Sequence, residues 1–216
     1  LGAVFCSFGF YFYSHNDDKL SISYYTYQSK KYTGNEDLKL LQLSDLHNHS
    51  LTYSNTSLLN KIGELQPDAV LFTGDFIDDH TKDYSMLEDL GKRFDSLGVP
   101  VFFVDGNHEQ KAPSEITDRE HALFAAHHFK NLNKSSLDFK NGIVFSGLLD
   151  PGINHRYGYD GTGGVGDVPE QLESLQEGFD SKKLNIMLCH RPDLFGLISD
   201  QSYDLTFSGH THGGQI

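Results

Sequence analysis

Five short segments of this 216-residue chain carry side chains of the kinds that hold transition-metal ions. In chain order they are Asp45-Leu46-His47, Gly74-Asp75, Gly106-Asn107-His108-Glu109, His190, and Gly209-His210-Thr211-His212. Singly they say little. An Asp-x-His triplet usually sits in a solvated turn, and a lone buried histidine is more often a hydrogen-bonded core residue than a ligand. Together they are hard to explain blandly, because each follows directly on an apolar run. Mixed imidazole and carboxylate donors suit Mn, Fe, Zn or Co, whereas all-oxygen cages suit Ca and Mg. No cysteine belongs to the set, which disfavours a structural zinc site. Asp45, His47, Asp75, Asn107, His190, His210 and His212 are too many donors for one tetrahedral ion. They suit two ions that share a bridging carboxylate.

The elements that must position these groups are strands. Residues 38–43, 69–72, 101–104, 184–189 and 205–208 are apolar runs of strand length, and each empties into one of the donor-bearing segments. Between the first three lie amphipathic stretches with helical spacing. One covers 57–66 and is closed by Pro67; the other covers 84–97, with Leu87, Leu90, Phe94 and Leu97 on one face and Gly98 at the stop position. Three strand–loop–helix units in series predict a layered α/β domain with ligands at the carboxyl ends of its strands. Helices are also expected over 115–129 and 169–179, and alternation from Leu20 through Ile22 to Tyr24 predicts a half-buried strand. A hairpin is expected to pair 137–139 with 143–146 across Lys140-Asn141-Gly142. The stretch 150–167, dense in Gly and Tyr, reads as a loop.

Lys and Arg number 17 against 30 Asp and Glu, a formal charge of −13, and no basic stripe is present. That excludes a broad electrostatic footprint for a nucleic-acid backbone, so no nucleic-acid partner is expected. Cys6 and Cys189 form no disulfide framework, and Cys189 reads as a small core residue. Residues 1–13 are almost uncharged and rich in aromatics before the polar break at Ser14. The run is too short to span a bilayer as a helix. It is expected to be the end of an N-terminal membrane anchor over 1–14, with a strand or helix of the domain itself as the alternative. The acidic flank that follows favours the extracytoplasmic side. The domain proper is expected over 15–216, with Ile216 opening a further strand.

The ordered pattern D-x-H, G-D, G-N-H-[DE], H and G-H-x-H resembles that of the calcineurin-like metallophosphoesterase superfamily, and the match runs from Asp45 to His212. Ser44-Asp45-Leu46-His47-Asn48 and Ser208-Gly209-His210-Thr211-His212-Gly213-Gly214-Gln215 are similar to its membrane-associated bacterial branch, often named after YkuE and YaeI. The resemblance implies a four-layer α/β/β/α sandwich. It also implies hydrolysis of a phosphate ester or diester by a hydroxide bridging two divalent ions. Asp45, His47 and His212 would bind the first ion, Asn107, His190 and His210 the second, and Asp75 would bridge them. Asn107 and His108 would meet the substrate phosphate, with His108 protonating the leaving oxygen, and Asp78 would be an acid behind the ligands. Glu109 takes the family's Asp/Glu position, either behind the ligands or on the loop surface.

The expected substrate is a phosphate-ester small molecule or a lipid head group at a membrane surface, and the expected state is a monomer. A rival of another class is a metal-containing binding module of the same fold without turnover, against which His108 and the full donor set stand. His15, His80, His121, His127 and His128 are expected at the surface, and His49 near the first metal loop. His155-Arg156-Tyr157-Gly158-Tyr159 is either a solvated loop or a substrate-recognition element.

Overall fold

Alternation along a few short strands decides the architecture. A computed structural model describes residues 3–10, 21–48, 54–152 and 166–212. The elements are β1 (Ala3–Phe10), β2 (Ser21–Gln28), β3 (Leu38–Leu43), α1 (Ser54–Leu65), β4 (Ala69–Phe72), α2 (Ser85–Leu97), β5 (Val101–Phe103) and α3 (Asn107–Lys111). They continue with α4 (Ser114–Ala126), β6 (Lys130–Asn131), β7 (Ser135–Phe139), β8 (Ile143–Gly147), α5 (Val168–Leu175), β9 (Leu184–Leu188), α6 (Phe195–Ser199) and β10 (Leu205–Phe207).

The strands form a six-stranded sheet in the order β2-β1-β3-β4-β5-β6 and a four-stranded sheet in the order β10-β9-β8-β7. Strands β1, β3, β4, β5 and β6 run parallel, as do β8, β9 and β10; β2 and β7 are the antiparallel members.

Three apolar clusters fill the spaces between layers. Leu40, Leu71, Phe102 and Val104 from the larger sheet pack with Phe145, Ile186, Leu188 and Phe207 from the smaller one. The opposite faces of the same strands point to helices. Leu41, Leu43, Val70, Phe72, Val101 and Phe103 meet Ile62 of α1, Leu87, Leu90 and Phe94 of α2 and Phe124 of α4. Beyond the second sheet, Met187 and Cys189 meet Val168, Leu172 and Leu175 of α5 and Ile198 of α6. Helix, sheet, sheet, helix is the four-layer order the resemblance implied. A strand buried on both faces reads as an unbroken apolar run, which is why 69–72 shows no alternation, while 38–43 is broken only by the exposed Lys39 and the buried Gln42. Cys189 is the core residue expected, and burial pushes its thiol up to about 12.

Phe72, at the end of β4, has no exposed surface and touches Phe76, Phe94, Phe124 and Phe129 at ring separations of 4.2 to 6.0 Å. Phe72→Ala is expected to cost about 3–5 kcal/mol through lost burial and the cavity left behind. Urea unfolding at fixed metal content measures it.

Ala3–Phe10, within the segment 1–14, is a strand paired with β2 and β3. No helix among the described residues is long and apolar enough to cross a membrane. The short α3, α6 and β6 went unforeseen because two to five residues hold no period to detect.

Candidate metal centre

The carboxyl ends of β3, β4, β5, β9 and β10 converge, and each delivers one donor-bearing segment. The larger sheet brings Asp45, His47, Asp75 and Asn107; the smaller brings His190, His210 and His212. Their backbones interlock: the N–H of Asp45 donates to Gly74 O at 3.0 Å, that of His47 to Asp75 O at 2.9 Å, and that of Gly209 to His190 O at 3.0 Å.

The approach is close enough to dictate residue type. A Cβ on Gly106 would lie 2.3 Å from Asp75 Oδ1, and one on Gly74 would lie 2.6 Å from Gly106 N and 2.7 Å from His190 Nδ1. Gly74 also holds φ +90°, which side-chain-bearing residues rarely adopt. Asp45, His47, Asn48, Asp75, His210 and His212 all have φ between 46° and 71°. Asp, Asn and His are the non-glycine types most often found there, and such strained backbone gathers at functional sites.

Two knots of donor atoms result. In one, His47 Nε2 lies 3.1 Å from His212 Nε2, and Asp45 Oδ1 lies 3.7 Å from His212 Nε2. In the other, His190 Nε2 is 3.1 Å from Asp75 Oδ2, 3.2 Å from Asn107 Oδ1 and 3.2 Å from His210 Nδ1. Asp75 Oδ2 also lies 3.9 Å from His47 Nε2, so one carboxylate oxygen faces both knots. Its other oxygen accepts the backbone N–H of His108 at 2.8 Å. Asp45, His47 and His212 form one group able to hold an ion, and Asp75, His190 and His210 another.

Lone pairs pointed at one another repel unless a proton or a cation stands between them. Nitrogens each about 2.0–2.1 Å from a common ion would sit roughly 3.3 Å apart, close to the observed contacts. The residues therefore fit divalent ions, with no thiolate and with oxygen and imidazole donors in mixture. Electrostatics agree. Burial opposes ionisation of Asp75, but the His190 contact and the backbone N–H of His108 bring it to about 2. Burial likewise opposes charge on His190, yet Asp75 and Asp45 raise its pKa, as a site of negative potential would.

All seven donors named from sequence meet here, and His108 joins them. Its ring centroid is 4.5 Å from that of His47, and it forms a further donor group with His47 and Asp75. Asp78 does not. Its carboxylate accepts the backbone N–H of His80 at 2.8 Å and the hydroxyl of Thr81 at 3.1 Å, which closes its own turn. His121 is not a plain surface residue either, for it contacts the buried Asp105 at 2.9 Å. His15, His49 and His155-Arg156-Tyr157-Gly158-Tyr159 lie outside the described residues.

Residues behind the donors matter as well. Glu109 is buried, not on a loop surface. Its Oε2 accepts N–H groups of Asp75 at 2.8 Å and Gly106 at 2.7 Å, and its Oε1 those of Phe76 at 2.8 Å and Ile77 at 3.2 Å. One carboxylate thus clasps the loops that carry Asp75 and Asn107. Its place three residues after Gly106, at the start of α3, is half of a capping box and was the available signal.

Glu120 of α4 lies behind it, fully buried, and neither of its carboxyl oxygens is hydrogen-bonded to a described residue. Burial, then Glu109, Asp105 and Asp75, push its pKa well above the carboxylate range. A folded-state pKa above the unfolded value means stability is lost as pH rises past the unfolded value, near 4.3. Glu120→Leu is expected to stabilise the fold by about 1–3 kcal/mol near pH 8. The gain should shrink toward pH 4; melting curves across that range check it.

The sequence matches the calcineurin-like phosphoesterase family over residues 38–214. The chain belongs to that family. Calcineurin-like phosphoesterases are metal-dependent hydrolases, and this chain is one of them. Relatives in Bacillus subtilis include YpbG, 28% identical over 197 residues and matched across 89% of this chain and 68% of its own length. YkuE of the same organism is 27% identical over 194 residues, matched across 85% of this chain and 61% of its own length. LpxG of Chlamydia muridarum, a UDP-2,3-diacylglucosamine pyrophosphatase by name, is 25% identical over 224 residues, covering 87% of this chain and 67% of LpxG. Among solved structures, TT1561 of Thermus thermophilus superposes with a TM-score of 0.57 at 14% identity, covering 78% of this chain and 80% of that one, a likeness of fold.

Proposed function

We propose that this phosphoesterase works with two divalent ions, Mn, Fe, Zn or Co, and hydrolyses a phosphate ester, diester or pyrophosphate. The observation that carries this is Asp75, whose Oδ2 is 3.1 Å from His190 Nε2 and 3.9 Å from His47 Nε2, one oxygen facing both donor knots. Asp45, His47 and His212 hold the first ion, Asn107, His190 and His210 the second. When bound, the pair supplies Lewis acidity toward phosphoryl oxygens and lowers the pKa of an attacking water.

The chain's own groups do the rest. The main-chain N–H of His108 is anchored on Asp75, so the residue starts α3 at a fixed place beside His47. Its imidazole then serves as the acid that protonates the departing oxygen, while Asn107 and His108 orient the phosphate. Glu109 keeps the Gly74-Asp75 and Gly106-Asn107 loops in register.

A lipid-linked phosphate at a membrane surface is the favoured substrate class. LpxG is named for a lipid pyrophosphate, and the motif flanks are similar to those of the YkuE-like branch. Membrane association, an extracytoplasmic domain and a monomeric state belong to the same reading, with fractionation and sedimentation as their tests. Metal-free protein should be inert on p-nitrophenyl phosphate and its bis ester, and Mn²⁺ should restore hydrolysis of at least one. Full metal loading with no turnover on mono-, di- or pyrophosphate substrates would favour the non-catalytic binding module instead.

A further inference from the structure

His190 and His210 offer imidazole to the same proposed ion, yet their far nitrogens meet opposite partners. His190 Nδ1 lies 2.7 Å from the carbonyl oxygen of Thr73. An acceptor in that place fixes the tautomer and strengthens a histidine as a ligand. His210 turns Nδ1 toward the centre, 3.2 Å from His190 Nε2, and its Nε2 lies 3.4 Å from Nη1 of Arg191. A guanidinium has donors only and is always charged. It cannot accept the Nε2 proton that His210 carries when it ligates through Nδ1.

Arg191 is held there firmly. It is 3% exposed, follows His190 at the end of β9, and its Nε donates to the buried Asp150 Oδ2 at 2.8 Å. Among the described residues its Nη2 has no hydrogen-bond partner. Keeping a buried cation with an unmet donor costs stability, so interior packing alone is a poor reason for it. The donor charges add to the contrast. Asp45 brings a carboxylate to the first group, whereas Asn107 brings a neutral amide to the second.

We propose that Arg191 is a positioning residue that makes the second ion, held by Asn107, His190 and His210, the weaker and exchangeable one. Its guanidinium, 3.4 Å behind His210, opposes the approach of a dication to that imidazole. Arg191 thereby sets the metal concentration at which the centre fills, without touching the substrate. The inference rests on the two-ion reading above.

The test is a Co²⁺ titration of metal-free protein, followed by visible absorbance and calorimetry. Wild type is compared with D150L/R191M and with D150N/R191Q; removing both partners avoids leaving one buried charge alone. Wild type should bind two ions in two resolved steps. In both variants the first step should stay unchanged and the second should tighten about ten-fold or more, the scale on which groups behind metal ligands act. Melting curves establish that each variant is folded. An unchanged or weakened second step, or tightening in only one variant, overturns the role of Arg191 while two-ion binding stands. Wild type that takes up a single ion overturns the two-ion reading itself, and the inference with it.

Discussion

His108→Ala should lower turnover by about 10²–10⁴-fold while the purified protein keeps its full metal content. The split follows from how the residue is attached. Its contact with Asp75 runs through the main-chain N–H, at 2.8 Å, which alanine retains, and only the imidazole beside His47 is lost. Dependence on the leaving group makes the test sharper. A p-nitrophenolate departs with little help from an acid, so its loss should be far smaller than that of an alkyl ester. Equal losses on both substrates, or metal lost along with activity, would show that His108 acts otherwise.

Asp75→Asn should be more damaging still, though it preserves shape. The carboxylate is 1% exposed, and one of its oxygens faces both His47 and His190. Partners standing behind metal ligands already cost about 10–100-fold when removed, so losing the shared donor should exceed 10²-fold in activity. Metal content, measured by elemental analysis, should fall below that of wild type. Without metal, the charge on His190 loses its main partner, and breaking a buried pair of this kind costs about 3–5 kcal/mol. Variant protein that keeps its metal content and turns over normally would overturn the proposed bridging role of Asp75.

The donors were legible before any coordinates because each is tethered to a strong local signal. Leu38–Leu43 and Ala69–Phe72 are apolar runs whose ends are unmistakable, and Asp45 and Asp75 follow them at once. Gly98 announced the end of α2, and it does adopt φ +63° there. Asp78 was placed behind the ligands by resemblance alone, which carries no side-chain direction. The chain turns after Ile77, and the Asp78 carboxylate closes that turn with Thr81.

Arg191 and Glu120 were illegible for a different reason. A charged residue beside a ligand or on a helix reads as solvated until two sheets and a helix close over it. Glu109 lies between these cases, since its offset from Gly106 was visible but its reach to Phe76 and Ile77, on another loop, was not.

The centre draws its donors from both sheets, an apolar seam of Leu40, Leu71, Phe145 and Ile186 lies between them, and Lys140–Asp68 at 2.9 Å and Lys31–Asp204 at 2.8 Å tie the far end. Gln42 is a polar crosspiece near the same end, donating to Thr73 Oγ1 and Ser208 O, each at 2.8 Å. Seen mechanically, cations held there would be rivets at one mouth of the sandwich, and the apolar seam with its far ion pairs would be the hinge at the other. Chelation should therefore let the mouth gape without melting the fold. Amides around Thr73, Asn107 and Ser208 should exchange with deuterium faster once the ions are stripped, while those at the starts of β3, β4 and β9 keep their protection.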